Sequence, residues 1–96
     1  MTDNEYTSFV LAATKANEDA MFADNFNDAI IGLCHRAGGN TVIAYDIDKV
    51  IEILVVEHDM SIEEAVEYAE FNVFSAYVGE NTPVFIEKME NIIERF

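Results

Sequence analysis

Breakers are scarce in this chain. One proline and four glycines in 96 residues leave few places where the backbone can turn sharply. Two of the glycines stand together in Ala37-Gly38-Gly39-Asn40. The runs on either side, Ala29–Arg36 and Thr41–Tyr45, are rich in β-branched and apolar residues, and such runs around a Gly-Gly-Asn turn predict an antiparallel hairpin. Ala29–Arg36 also fits a turn and a half of helix, but the turn cluster after it favours a strand. Gly32, in the middle of that run, marks either a bulge or a close packing contact. No Ser/Gly tract or internal repeat divides the chain, so residues 1–96 read as a single domain.

The stretches between these breakers carry helical spacing. From Asn4 to Phe22, the residues Tyr6, Phe9, Val10, Ala13, Ala16 and Ala20 step by three or four and share one face. The turn formers of Asp24–Asp28 then end the pattern. Asp46 is placed to cap the next helix, with Asp48 near its positive end. Ile47, Val50, Ile51, Leu54 and Val55 form its core stripe. Ile53 and Val56 lie off that stripe, which implies cover on more than one side, and His58-Asp59-Met60 ends the helix.

Ser61 and Glu64 form a capping box for a helix expected to reach about Val78, with Gly79 as a left-handed stop. Asn81-Thr82-Pro83 is a turn, and Pro83 suits the first residue of an edge strand, Val84–Ile86. Glu87 to Phe96 closes the chain as a short helix with Met89, Ile92, Ile93 and Phe96 on one face. The expected class is α+β in the order α-β-β-α-α-β-α. Its small antiparallel sheet, the hairpin plus one C-terminal strand, is covered by helices.

Three segments carry a resemblance: VIAYDIDKVIEIL (Val42–Leu54), MSIEEAVEYAEFNV (Met60–Val73) and AYVGENTPVFI (Ala76–Ile86). Together they resemble a group of small uncharacterised proteins found in tailed-bacteriophage and prophage genomes. The most distinctive stretch is Ala76–Pro83. The resemblance covers about half the chain, leaves out Met1 to Asn27 and brings no catalytic residue with it. It implies a phage origin and a helix–glycine–turn–strand passage around Gly79.

Charge narrows the function classes. Nineteen Asp and Glu face five Lys and Arg, for a net charge of −14. Nucleic-acid phosphates and anionic lipid repel such a body, so neither is an expected partner. A protein with a basic surface is an expected one. The apolar share of 51% supports a packed core and excludes a wholly disordered chain. An acidic, polar start reads as no signal peptide, and the single cysteine, Cys34, suits a reducing compartment. The expected location is the cytoplasm, under a phage origin that of an infected bacterial cell.

Motifs for chemistry fall short one by one. Asp46-x-Asp48 with Glu57 superficially resembles a calcium loop, but Val50 and Ile51 stand where an oxygen ligand and a glycine are required. Cys34 and His35 are neighbours on a strand and point to opposite faces, so they make no nucleophile–base pair. His35 and His58 lack a second metal-type ligand at helical spacing. Gly38-Gly39 lacks the Lys-Ser/Thr of a phosphate loop. The reading is therefore no catalytic residue, no metal, no cofactor and no enzyme.

Two surface features are left. Glu63, Glu64, Glu67 and Glu70 line the third helix, and Glu52 and Glu57 on the preceding helix add to the same field. A solvated face explains them in an ordinary domain, yet so few cations leave most carboxylates unpaired at a cost in stability. An acidic face that docks on a basic groove accounts for that cost. Tyr68, Phe71, Phe74, Tyr77 and Val78 extend the apolar area of the same helix, either beneath the sheet or as a homo-oligomer interface. The leading expectation is a phage-encoded binding protein that blocks a host nucleic-acid-binding or antiviral defence protein. The alternatives are a self-associating accessory module and a small-ligand or nucleotide-sequestering pocket at the Gly79–Thr82 turn.

Overall fold

The computed structural model describes residues 1–95. Along them run α1 (Asp3–Ala16), β1 (Ile30–Cys34), β2 (Val42–Asp46), α2 (Ile47–Glu57), α3 (Ile62–Ala69), β3 (Val84–Ile86) and α4 (Met89–Ile93). The class is α+β, in the order α-β-β-α-α-β-α. Phe96, expected on the apolar face of the last helix, lies outside the described residues.

The hairpin forms around Gly38, whose φ of 72° is one that a glycine adopts without strain. Cys34 pairs with Val42, Leu33 with Ile43 and Gly32 with Ala44. Ile30 then pairs with Tyr45, leaving Ile31 as the extra residue of a bulge. Of the two readings of Gly32, the bulge is the one realised: a Cβ there would touch nothing within 4 Å.

β2 lies between β1 and β3, and all five of its residues are buried. This burial explains its unbroken Val-Ile-Ala-Tyr run, since a strand covered on both faces has no polar alternation. Tyr45 stacks on Phe85 at 5.5 Å, and Phe74 tilts against Phe85 at 5.1 Å. Ile43, Tyr45, Val50, Ile53, Leu54, Ala65 and Ala69 form the centre of the core, joined by Ala13, Phe26 and Ala29 from the N-terminal third. Cutting Leu54 back to Ala there would cost about 2–5 kcal/mol. Ala65 and Ala69 are fully buried; with only a methyl at each position, α2 and α3 can approach closely.

The sheet is mixed, not antiparallel throughout. β3 pairs parallel to β2, with Ala44 opposite Val84, Tyr45 opposite Phe85 and Asp46 opposite Ile86. Three asparagines set that direction. The Asn81 side-chain oxygen accepts from Asn17 Nδ2 at 2.9 Å and from Asn40 Nδ2 at 3.0 Å. Asn17 Nδ2 also donates to the Thr41 carbonyl at 2.8 Å, and the Asn81 carbonyl accepts from the Met21 amide at 3.2 Å. These bonds pin the segment before β3 at the start of β2, so both strands set out from the same end. At the other end Lys88 Nζ lies 3.1 Å from Asp46, and that hydrogen bond raises the Lys88 pKa. Asp46 also caps α2 by accepting from the Asp48 amide at 3.0 Å.

Two helices are shorter than their spacing predicts. α1 starts at a capping box between Thr2 and Glu5 and stops at Ala16, six residues before Phe22. Its stop is Asn17, whose side chain is engaged in the three-asparagine cluster. Phe22 folds back so that its ring meets Tyr6 at 6.3 Å and Phe9 at 6.4 Å, edge to face. α3 starts at the Ser61–Glu64 capping box as expected, but its α-helical part ends at Ala69 and widens into a π-helical turn over Glu70–Phe74. Ser75 Oγ donates to the carbonyls of Glu70 at 2.7 Å and Phe71 at 3.1 Å, and Asn72 Nδ2 to that of Tyr68 at 3.1 Å. These side chains take up carbonyls that a widened turn leaves exposed. Gly79 (φ 110°) therefore stops no helix; it opens a turn in which Thr82 Oγ1 donates to its carbonyl at 2.7 Å.

Candidate protein interface

Between Lys49 and Lys88 the chain holds Glu52, Glu57, Asp59, Glu63, Glu64, Glu67, Glu70, Glu80 and Glu87, and no Lys or Arg. From Val50 onward α2 and α3 thus carry charge of one sign, with Lys49 the one cation on α2. Glu52 is paired with Lys49 at 3.3 Å. Among the described residues Glu57, Glu63, Glu64, Glu67 and Glu70 have no cation within 4 Å, and all five are exposed. Glu64 is partly committed, since its carboxylate accepts from the Ser61 amide at 3.2 Å. Carboxylates also occur on the N-terminal third, among them Glu18, Asp19, Asp24 and Asp28. α3 carries exposed apolar surface beside its carboxylates, as α4 does with Met89 and Ile93 beside Glu90.

The apolar surface around α3 differs from a single helical stripe. Tyr68 is on α3 and Phe71 on the π-helical turn; they are 43% and 75% exposed. Tyr77 and Val78 follow the helix on the loop and are 76% and 60% exposed. Phe74 turns inward against Phe85 and belongs to the core. Ile53 is buried and Val56 exposed, so α2 is covered on one of its two extra apolar positions.

Glu64, Glu67, Tyr68, Phe71, Asn72 and Met60 line an open groove of about 500 Å³. Met60, Tyr68 and Asn72 also line a second cleft of about 350 Å³, so groove and cleft adjoin across these three side chains. One wall of the cleft is Met21, Phe22 and Ala23, from the segment after α1. The other walls are Val73, Ala76 and Val78, with Leu54 and Phe85 from the core elements and His58 and Asp24 also lining it. The first wall is fixed from beneath: the Ala23 amide donates to Tyr45 Oη at 2.7 Å. Burial disfavours the Tyr45 phenolate and raises its pKa, against a smaller lowering by that amide.

The molecule exposes more surface than its mass calls for. Its accessible area is 6612 Å², where a 10.8 kDa monomer averages about 5,500 Å². Its radius of gyration of 13.9 Å likewise exceeds the roughly 12.5 Å of a compact domain this long. Exposed Phe71, Tyr77, Val56 and Met89 contribute to that excess.

The positions weighed for chemistry are dispersed. Cys34 is half-buried in β1. His35 follows the strand, exposed, with Nδ1 3.1 Å from Thr41 Oγ1, and His58 lies at the end of α2. Among the described residues no three His, Cys, Asp or Glu gather as a metal site, and no helix is long and apolar enough to cross a membrane. The Gly79–Thr82 turn does border an open cleft of about 520 Å³, facing Arg36, Gly38 and Gly39 across it.

Sequence reasoning missed the cleft beside α3. Met21 and Phe22 come from a segment without regular structure, and nothing local shows that it folds over α2 and α3. The available signal was the placing of Met21, Phe22 and Phe26 among turn formers, where apolar side chains need something to cover. No protein-family model, curated protein or solved structure matches the chain.

Proposed function

We propose that this chain is a non-catalytic acidic binding module that occupies a basic surface on a protein partner. One observation carries the reading: α3 and the π-helical turn after it present Glu63, Glu64, Glu67 and Glu70 without cation partners among the described residues, beside exposed Tyr68 and Phe71. Unpaired like charges on one helix oppose folding, and aromatic residues are enriched in the cores of interfaces. The resemblance of Val42–Ile86 to small phage proteins favours a bacterial host protein as partner, such as a nucleic-acid-binding or defence protein whose basic groove the module blocks.

The test is capture from host lysate at low salt with the wild-type chain and with Glu63→Lys/Glu67→Lys/Glu70→Lys. A protein held by the first and released by both the second and added salt supports the proposal. Capture indifferent to charge reversal and to salt removes it. The exposed Phe71, Tyr77 and Val78 also favour self-association as a second reading. A second copy docked through α3, however, would set these carboxylates against each other. A stable dimer in sedimentation at low salt would restore that alternative.

A further inference from the structure

Resting on the acidic-docking reading, we infer that the cleft beside α3 receives an apolar anchor side chain projecting from the partner's basic segment. Recognition then has two parts, a Lys/Arg-rich stretch along Glu64 and Glu67 and an aliphatic or aromatic side chain seated behind Tyr68.

Three features converge on this occupant. First is adjacency: Met60, Tyr68 and Asn72 line both the carboxylate-bearing groove and the cleft, so a chain lying along the groove is one side chain's width from the cleft. Second is size. About 350 Å³ compares with the roughly 150 Å³ that accommodates one benzene ring and lies near the bottom of the small-molecule range of about 300–1,000 Å³. That is room for one or two side chains and little for a large cofactor.

Third is the chemistry of the walls. Met21, Met60, Val73, Val78 and Phe85 offer apolar and adaptable surface, and thioether side chains repack around different anchors. The groove outside is anionic. An acidic peptide would be repelled there, and a second copy of this chain would bring its own excess of carboxylates to the same place. Charge therefore selects a basic protein segment over either.

The experiment uses three synthetic peptide probes against the full chain. The first is rich in Lys and Arg and carries a Leu-x-x-Leu pair. The second replaces both Leu by Ser, and the third keeps the Leu pair but replaces every Lys and Arg by Glu. Affinity is read by fluorescence anisotropy and the contact region by backbone amide shifts. The expected result is that the first peptide binds roughly tenfold to a hundredfold tighter than the second, the ratio that burying one Leu side chain brings. It should shift Met60, Val73 and Phe85 as well as Glu64 and Glu67. The second peptide should shift the glutamates alone.

Ala76→Phe, at an exposed loop position lining the cleft, should abolish the difference between the first two peptides and leave the weaker affinity unchanged. Amide spectra of the free variant verify that it is folded. Equal binding of the two basic peptides overturns the anchor inference and leaves acidic docking standing. Binding of the Glu peptide as tight as that of the first overturns acidic docking itself, and so does failure of both basic peptides to bind. A dimer of the chain alone that Ala76→Phe dissolves would overturn the choice of occupant.

Discussion

Replacing Asn81 by Ala tests how the last strand is held. The Asn81 side-chain oxygen accepts two part-buried hydrogen bonds, from Asn17 and Asn40. After truncation Asn17 Nδ2 keeps the Thr41 carbonyl, while Asn40 Nδ2 loses the only bond found for it. A net 0.5–1.5 kcal/mol per hydrogen bond gives a loss of about 1–3 kcal/mol, a large share of the roughly 5–15 kcal/mol that holds a small domain. Asn81→Asp retains both acceptor positions and should lose less than half as much. Urea denaturation suits the test because urea does not screen the protein's charge. At a slope of about 1–3 kcal/mol/M the midpoint should fall by about 1 M for the Ala variant, with the slope unchanged. Hydrogen exchange should quicken from Ser75 to Thr82 and at Met21, whose amide donates to the Asn81 carbonyl. An Ala variant within about 0.3 kcal/mol of wild type, well under one ordinary hydrogen bond, would refute the pinning argument. So would an Asp variant as damaged as the Ala one.

Three further outcomes follow from the same structure. Added salt should raise Tm by several degrees because it screens repulsion between α2 and α3 carboxylates; a flat or falling Tm would show that this repulsion is negligible. Asp59 sits at φ 55° after α2, a left-handed position costly for residues with a Cβ, so Asp59→Gly should add about 0.5–1 kcal/mol in urea denaturation; unchanged or lower stability contradicts this. Burial raises the Tyr45 pKa, so the folded state holds that proton more tightly than the unfolded chain. The contribution is complete below the ordinary tyrosine pKa of about 10 and is lost as pH rises from there through the folded value. Stability should therefore fall on the alkaline side, with a late step in phenolate absorbance that Tyr45→Phe removes; if that step persists in the variant, Tyr45 is not its source.

What could be read from the sequence was set by local chemistry. The Gly38-Gly39 turn, the Asp46 cap and the Ser61–Glu64 capping box each satisfy their own backbone within a few residues, and all three are found; Pro83 comes just before β3, which starts at Val84. The rest depends on partners far along the chain. The parallel pairing of β3 follows from Asn81 reaching Asn17 and Asn40, and single asparagines read locally as turn formers. α1 is shorter than its spacing predicts because Asn17 leaves the helix for the same cluster. α3 is shorter than its spacing predicts because the apolar spacing continues through Phe71 and Phe74 while Ser75 and Asn72 take up the carbonyls of a widened turn. The acidic positions of α3 were legible because helical spacing alone puts Glu63 and Glu67 on one face. The cleft was not, because one of its walls is the irregular segment around Met21 and Phe22.

The most direct measurement is the dissociation constant of the captured partner across salt concentration, for wild type and for Glu63→Lys/Glu67→Lys/Glu70→Lys. Docking through α3 predicts affinity that falls at least about tenfold between 50 and 300 mM salt, as expected for screened charge pairing. It also predicts a triple variant that is already weak at the lowest salt. Affinity level across that range, with the variant binding like wild type, would contradict it.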